Sequence, residues 1–467
     1  MKIKYFTVFI FCLVGLNIFG QNDWVTNKLS QEKRNMGVVS VGSTVWFAGG
    51  EYGKNNFKTV FVDTVEVFNV HDQSIVFYKL SKARTNISAV TAGSKIIFAG
   101  GYEGFLPNGN RIGSDVIDIY DTQSKIWSVE KLSIARGEMA SAVVGNKVIF
   151  AGGRSGDEAS DAVDIYDITT ENWSQEKLSI PTFGMAVAVA EDKVFFAGGF
   201  DANPKDNPDY FVRKYIDIYD TKTDSWSLDS LSEAKAFAGG VSSGDKLFFA
   251  GGSKGLEQSK IVDIYNWKTN VWSIDSLSEP RSFTNYNCVS LCNQVYFVGG
   301  DCINMSAFLV GIFCGYNQID IYDNITNKWH TDTLPYVLKG HGVASVENKF
   351  VVAGGIHSVG WKLTENDEII MKNCLSTFVE DKIELPYVNT IIYPNPSSDY
   401  FLVTLPDFMD INGLSMVVSD SKGAIKMSKT GEEIRQIHYT DDLTSGYYYV
   451  KFTNYKKSRV HKLVIVR

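Results

Sequence analysis

Lys147-Val148-Ile149-Phe150-Ala151-Gly152-Gly153, then Ala162-Val163-Asp164-Ile165-Tyr166-Asp167, then Asn172-Trp173-Ser174 is the passage that decides the fold. It holds an apolar run ending in a double glycine, an alternating strand and a short tryptophan strand. Residues 139–144 supply an apolar strand before it, and Gly145-Asn146 a hairpin turn, since both residue types tolerate positive φ. The alternation in 162–167 sends side chains to two faces, as a strand requires. Together these make a four-stranded antiparallel meander.

The passage recurs. Double glycines fall at Gly49, Gly100, Gly152, Gly198, Gly251, Gly299 and Gly354, at intervals of 51, 52, 46, 53, 48 and 55 residues. The third strand returns at Ile117, Ile216, Val262 and Ile319, and the fourth at Trp127, Trp226, Trp272 and Trp329. A leucine stands five residues after each tryptophan, at Leu132, Leu178, Leu231, Leu277 and Leu334. The first copy is degenerate, with Val65-Glu66-Val67-Phe68 as third strand and Ile75 in the tryptophan slot. Such a period means stacked or radial units. One sheet cannot bury both apolar faces alone; radial packing buries them on each other. Tyrosine and tryptophan fill the wide outer part between blades, and the glycines allow close backbone approach.

Double glycine, tyrosine and tryptophan at these intervals resemble the kelch repeat over residues 24–375. The resemblance implies an all-β, seven-bladed kelch-type β-propeller, and no particular activity. Trp24 to Leu29 has the spacing of a fourth strand with no strands before it, while the last repeat lacks a tryptophan strand. The N-terminal segment is therefore expected to complete the seventh blade, with residues 365–372 as its third strand. A six-bladed ring, with residues 373–378 as a local last strand, is the alternative.

The rest of the chain sets its destination. Lys2 and Lys4 precede an apolar run, Tyr5 to Phe19, ending at Gly20, which reads as a signal peptide over residues 1–20. The run is too short for a transmembrane anchor, which needs about 20 residues. Net charge is −8, giving no nucleic-acid footprint. The propeller is expected over 21–376, a linker over 377–389, and a small β-sandwich over 390–467. That sandwich resembles the C-terminal sorting domain of the bacterial type IX secretion system. The resemblance rests on Tyr393-Pro394-Asn395-Pro396, residues 419–423 with Gly423, residues 443–450 with Gly446, and the basic end from Lys462. It implies the type IX secretion machinery as partner and delivery of a folded cargo through periplasm and outer membrane, in a Bacteroidetes-type bacterium, to the surface or medium.

Recognition is expected on the long second-to-third-strand loops, which do not repeat and carry Tyr52, Phe57, Tyr102, Phe105, Tyr210, Phe211, Phe308 and Phe313. A basic series follows each Leu-Ser pair: Lys33, Arg84, Arg136, Lys235 and Arg281, with Lys339 one position displaced and Thr182 breaking it. Ringing a channel mouth, these cations would bind an anion or carboxylate. Paired with acids of the blades they would be structural, and their repetition favours that reading. The recurrent Asp of the third strand is expected to accept hydrogen bonds from turn backbone and basic groups. After signal removal five cysteines remain, an odd number. Cys302 and Cys314 flank a long loop and are the expected disulfide; Cys288 and Cys292 read as buried small hydrophobes. Their spacing fits no zinc site. Asp201, Asn203, Asp206 and Asp209 form an acidic loop lacking the glycine and glutamate of a calcium loop. No metal, cofactor or catalytic residue is assigned.

The sequence thus reads as an exported binding module for a glycan or protein. The alternative is a carbohydrate-active enzyme resembling the kelch-type sialic-acid mutarotases or copper-radical sugar oxidases. His341 and His357 are available to the oxidase reading, but no motif places the tyrosines it needs. Deleting residues 390–467 is expected to hold the protein in the periplasm, as read by protease access to intact cells; undiminished surface delivery would contradict the sorting assignment.

Overall fold

The alternating patterns pair as the sequence dictates. In the third repeat Ala140–Val144, Lys147–Ala151, Ala162–Asp167 and Asn172–Lys177 form one antiparallel sheet, with Tyr166 opposite Trp173. Those two rings lie 5.0 Å apart. The computed structural model describes residues 24–54, 58–201, 211–255, 257–283, 287–301, 315–359 and 362–374 of the first unit. In the second it describes 391–393, 399–404, 414–420, 424–430, 433–434, 438–454 and 457–466. Expectations on residues 1–20 and 377–389, on Phe57, Asn203, Asp206, Asp209, Tyr210, Phe308 and Phe313, on the Cys302–Cys314 pair, and on Pro394, Asn395, Pro396 and Gly423 lie outside the described residues.

Among the described residues the first unit, Met1–Thr377, holds seven such sheets. Blades 1 to 6 span residues 37–79, 88–131, 140–177, 186–230, 239–276 and 288–338. Blade 7 combines Gly342–Val346, Lys349–Ala353 and Glu368–Asn373 with the N-terminal strand Val25–Lys28, which pairs antiparallel to Glu368–Met371. Trp24 enters the vacant tryptophan slot, edge-on to Phe350 at 5.3 Å. The first strands touch in a closed cycle, each meeting the next blade's and Gly342–Val346 meeting Gly37–Val41. These are the inner strands of a ring; the tryptophan strands form its rim.

One joint repeats between blades. In six blades the second glycine's N–H donates to the carbonyl of the residue heading the next blade. Gly50 meets Arg84, Gly101 meets Arg136, Gly199 meets Lys235, and Gly355 closes the circle onto Lys33, all at 2.9–3.0 Å. A Cβ on Gly100 would lie 2.5 Å from the Arg136 carbonyl, and Gly100 sits at φ +61°, so glycine is required twice over. The heading side chain then turns into its own blade. Lys33 pairs with Glu66, Arg84 with Asp118, Arg136 with Asp164, Lys235 with Asp263 and Arg281 with Asp320, at 2.7 Å or less. All five cations are fully buried. The ligand-facing expectation for Lys33, Arg84, Arg136, Lys235 and Arg281 is corrected: water cannot reach them, and their charge is spent on an internal carboxylate. Burial pulls all five cations' pKa values below their ordinary ones, against the opposing attraction of the paired acid.

Each carboxylate also accepts the serine that follows the recurrent leucine of the incoming linker. Ser81, Ser179, Ser232 and Ser278 donate their backbone N–H at 2.9–3.0 Å to Asp118, Asp217, Asp263 and Asp320. The leucines before them (Leu80, Leu178, Leu231, Leu277) are buried, worth roughly 1.5–3 kcal/mol each. Two blades vary the joint coherently. Blade 7 has Leu338 and Ile370 at the two charged positions, packed in one apolar cluster. Blade 4 has Thr182, and Asp217, with no cation paired to it among the described residues, is raised in pKa by burial. Lys339 follows Leu338, so it is one residue past the joint, a register difference rather than a displaced member of the series.

Cys292, in the first hairpin of blade 6, is disulfide-bonded to Cys374, just past the last strand of blade 7. This corrects its reading as a buried hydrophobe. Bridging 82 residues, such a link stabilises by roughly 4 kcal/mol in the chain-entropy account. Cys288 is free and buried; its thiol donates to the Gly240 carbonyl at 3.3 Å, and burial pushes its pKa up to about 12. In the second unit, Phe378–Arg467, Ile391–Tyr393, Tyr400–Thr404 and His438–Tyr439 make one sheet. Leu414–Asp420, Ile425–Thr430, Gly446–Asn454 and Lys457–Ile465 make another, and Phe401, Met416, Val450 and Leu463 share the core between them.

Asp164→Ala, which strands the Arg136 guanidinium, is expected to cost about 3–5 kcal/mol in urea unfolding. Arg136→Leu combined with Asp164→Ile, imitating blade 7, should cost far less; equal losses would contradict the account of the joint.

Candidate functional site

The residue after each joint leaves the blade interior. Arg34, Thr85, Gly137, Phe183, Ala236, Ser282 and Lys339 form single antiparallel bridges to Glu51, Tyr102, Arg154, Phe200, Ser253, Asp301 and Ile356. The second set opens the second-to-third-strand loops, so both loop families meet on one face. The next residues carry backbone hydrogen bonds from blade to blade. Asn35 donates to Gly340, Asn86 to Asn35, Phe237 to Gly184 and Phe283 to Phe237, at 2.7–2.9 Å. Asn35, Asn86, Glu138 and Phe237 take φ between 50° and 54° to do so. This collar surrounds the axis, and the loops above it fold as short hairpins such as Tyr102–Phe105 with Arg111–Gly113.

One side of the mouth is a charge network. Glu51, buried at 1% exposure, takes both nitrogens of the Arg111 fork at 2.8 Å, Arg34 at 3.3 Å and the Asn35 amide at 3.1 Å. Burial would raise its pKa, but Arg111 and Arg34 hold it below the ordinary carboxylate value. Arg34 also pairs with Glu365, whose other oxygen is buried without a partner among the described residues. Arg111 lies over the rings of Tyr102 and Phe105. On the neighbouring blade Arg154 pairs with Glu138 at 2.7 Å and lies 4.3 Å over Phe183. The other side is aromatic: Phe183, Phe200 and Phe237 sit 5.5–6.3 Å apart.

Lys339 is the one member of the predicted basic set that reaches this mouth. It is half-buried and faces Asp301. Desolvation raises the Asp301 pKa to about 6 against the pull of Lys339. The four cations here, Arg34, Arg111, Arg154 and Lys339, face four acids, Glu51, Glu138, Asp301 and Glu365. Among the described residues the mouth does not contain the anion trap expected from unpaired basic residues. It offers fixed, forked hydrogen-bonding groups beside an aromatic wall. Sequence reading singled out Tyr102, but not Glu51, Arg111 or Arg154, which each occur once at their position, nor Phe237, which is repeated at Phe283 in the next blade. Asp201, from the acidic loop, is bound to Arg213. Among the described residues no cluster of His, Cys, Asp and Glu is arranged for a metal.

Residues 135–177 match the kelch motif, and residues 391–466 match the secretion system C-terminal sorting domain. The chain is a kelch-repeat propeller with a type IX sorting tail. That tail marks it for secretion or the cell surface and implies the secretion machinery as partner. Its matched span includes Tyr393, Gly446 and Lys462; no helix among the described residues is long and apolar enough to cross a membrane. No curated protein matches the sequence. Matching solved structures include one titled "Structure of YjhT", 15% identical, covering 66% of this chain and 99% of that one with a TM-score of 0.48.

Because the folded protein holds the Asp301 proton up to about pH 6, against an ordinary 3.8, this group's contribution to stability is full below 3.8 and lost as pH rises through 6. Asp301→Asn is expected to raise the melting temperature relative to wild type above that window and to leave it unchanged below; a constant difference would contradict the assignment.

Proposed function

We propose that this exported propeller is a binding protein whose loop-face mouth engages an extracellular glycan or protein. The observation that carries the reading is a contrast between equivalent positions. Leu29, Leu80, Leu132, Leu178, Leu231, Leu277 and Leu334 occupy the joint in all seven blades. At the mouth the seven residues opening the loops are Glu51, Tyr102, Arg154, Phe200, Ser253, Asp301 and Ile356, no two alike. Their bridge partners, Arg34 to Lys339, are also all different. Symmetry is kept where blades pack and abandoned where the two loop families meet, the usual place of recognition on a rigid frame.

Arg111 and Arg34 supply planar donors held in place by Glu51, so little side-chain entropy is lost on contact. Phe200 and Phe237 supply apolar area beside them. An amphipathic ligand, with hydroxyl or carbonyl groups next to an apolar face, meets both halves. A glycan array and a screen of extracellular proteins against the exported protein should return such a ligand. Arg111→Ala and Phe200→Ala should each weaken it by at least about tenfold, the scale of interface anchors. Binding indifferent to both substitutions would overturn the location.

A further inference from the structure

At three seams on the side of the ring opposite the mouth, a lysine latches one blade to the next. Lys95 bonds the Tyr166 hydroxyl at 2.8 Å, Lys147 that of Tyr219 at 2.7 Å and Lys246 that of Tyr322 at 3.4 Å, each within 5.1–5.3 Å of the ring centroid. The same lysine exists between blades 4 and 5, but Lys193 stands 52% exposed and 3.6 Å from Asp220 of its own blade. The Tyr265 hydroxyl, its expected partner, keeps only the bond to its own turn among the described residues, donating to Asn270 at 2.7 Å as Tyr322 does to Asn327 at 3.0 Å.

The cause is one residue in the preceding turn. In blade 2 Ser94 donates to Asp121 at 2.7 Å, and in blade 3 Asn146 donates to Asp167 at 2.6 Å. In blade 5 the pair is reversed, Asn266 donating to Asp245 at 2.8 Å. Blade 4 places Asp192, an acceptor, where blades 2 and 3 have Ser94 and Asn146, so Asp220 takes the N–H groups of Lys222 and Thr223 at 2.9 and 3.1 Å but no side-chain donor from that turn. Lys193 turns back to neutralise Asp220 and abandons the seam. A cavity of about 260 Å³ opens there, with Phe195, Tyr265 and Trp267 as apolar lining and Lys193, Asp220 and Asn270 among its polar groups.

We propose that this seam cavity is a second binding site, for one uncharged ring of a saccharide. The C–H face of a pyranose carries partial positive charge and packs on the negative face of an aromatic ring, here Trp267, since Tyr265 already packs between Phe195 and Trp272. Its hydroxyls need acceptors and donors together, which the Asp220 carboxylate, the Asn270 amide and the Lys193 ammonium provide. Carboxylates at the rim disfavour an anionic sugar. The volume lies just below the roughly 300–1,000 Å³ of sites for drug-sized ligands, so it suits one ring of a chain that continues into solvent. The site is independent of the mouth.

Calorimetric titration of the full chain with neutral oligosaccharides of glucose, galactose, mannose and N-acetylglucosamine tests it. At least one series should bind wild type. Asp192→Asn, which restores the donor seen at Asn146, frees Lys193 to close over Tyr265; it should weaken binding at least about tenfold while leaving the fold unchanged, as should Trp267→Ala. Phe200→Ala, at the mouth, should leave this binding intact. Absence of binding by all four series, or wild-type affinity in Asp192→Asn, would overturn the proposal.

Discussion

A buried carboxylate, held between a cation and the N–H of an incoming linker, is the constraint on which the ring depends. Asp118 shows the arrangement. It pairs with the guanidinium of Arg84, accepts Ser81 at 2.9 Å, and lies in the third strand of blade 2. Arg84 also donates at 2.6 Å to the carbonyls of Gly100 and Val116, fixing the double-glycine corner of the same blade. One ion pair thereby orients a linker, a strand and a corner. A buried charge costs several kcal/mol unless paired, so the chain cannot place the cation without also placing the acid. Blade 7 carries Leu338 and Ile370 in their stead. The joint admits either two charges or none, with blade 4, where Asp217 keeps the serine bond and loses the cation, as the intermediate case.

The same logic closes the circle. Gly355 reaches the Lys33 carbonyl just as Gly50 reaches that of Arg84, and Val25–Lys28 adds the missing strand to blade 7. The Cys292–Cys374 bridge ties blade 6 to the end of blade 7, next to this seam between the chain's two ends. A disulfide suits a protein that a sorting domain directs out of the cell, where oxidising conditions preserve it. The frame is rigid and repeated, which frees the mouth to vary.

What could be read in advance follows from what repeats. The glycine pairs, the Tyr–Trp strands and the spare Trp24 segment favoured seven blades and their closure, because each is a local pattern with a period; the pairing of Val25–Lys28 with Glu368–Met371 removes the six-bladed alternative. The basic series could not be assigned to solvent or core by spacing, since Arg84 and Arg111 look alike until the sheet buries one. Lys339 misled for the same reason: only the bridge to Ile356 shows that Leu338 holds the joint position. The Glu51–Arg111 fork joins blades 1 and 2 across 60 residues, and Cys292 meets Cys374 across 82. Neither leaves a trace in a repeat. At Asp192 the signal is present, an acid where neighbouring blades have Ser94 and Asn146, but it acquires meaning only beside Asp220.

Amide hydrogen exchange at the linker serines tests the central claim most directly. If the carboxylates hold the linkers, the N–H groups of Ser81, Ser179, Ser232 and Ser278 exchange as slowly as those of the inner strands, despite lying in turns at the ring's edge. Exchange as fast as at the exposed turn residue Gln123 would show that the buried acids do not fasten the blades together.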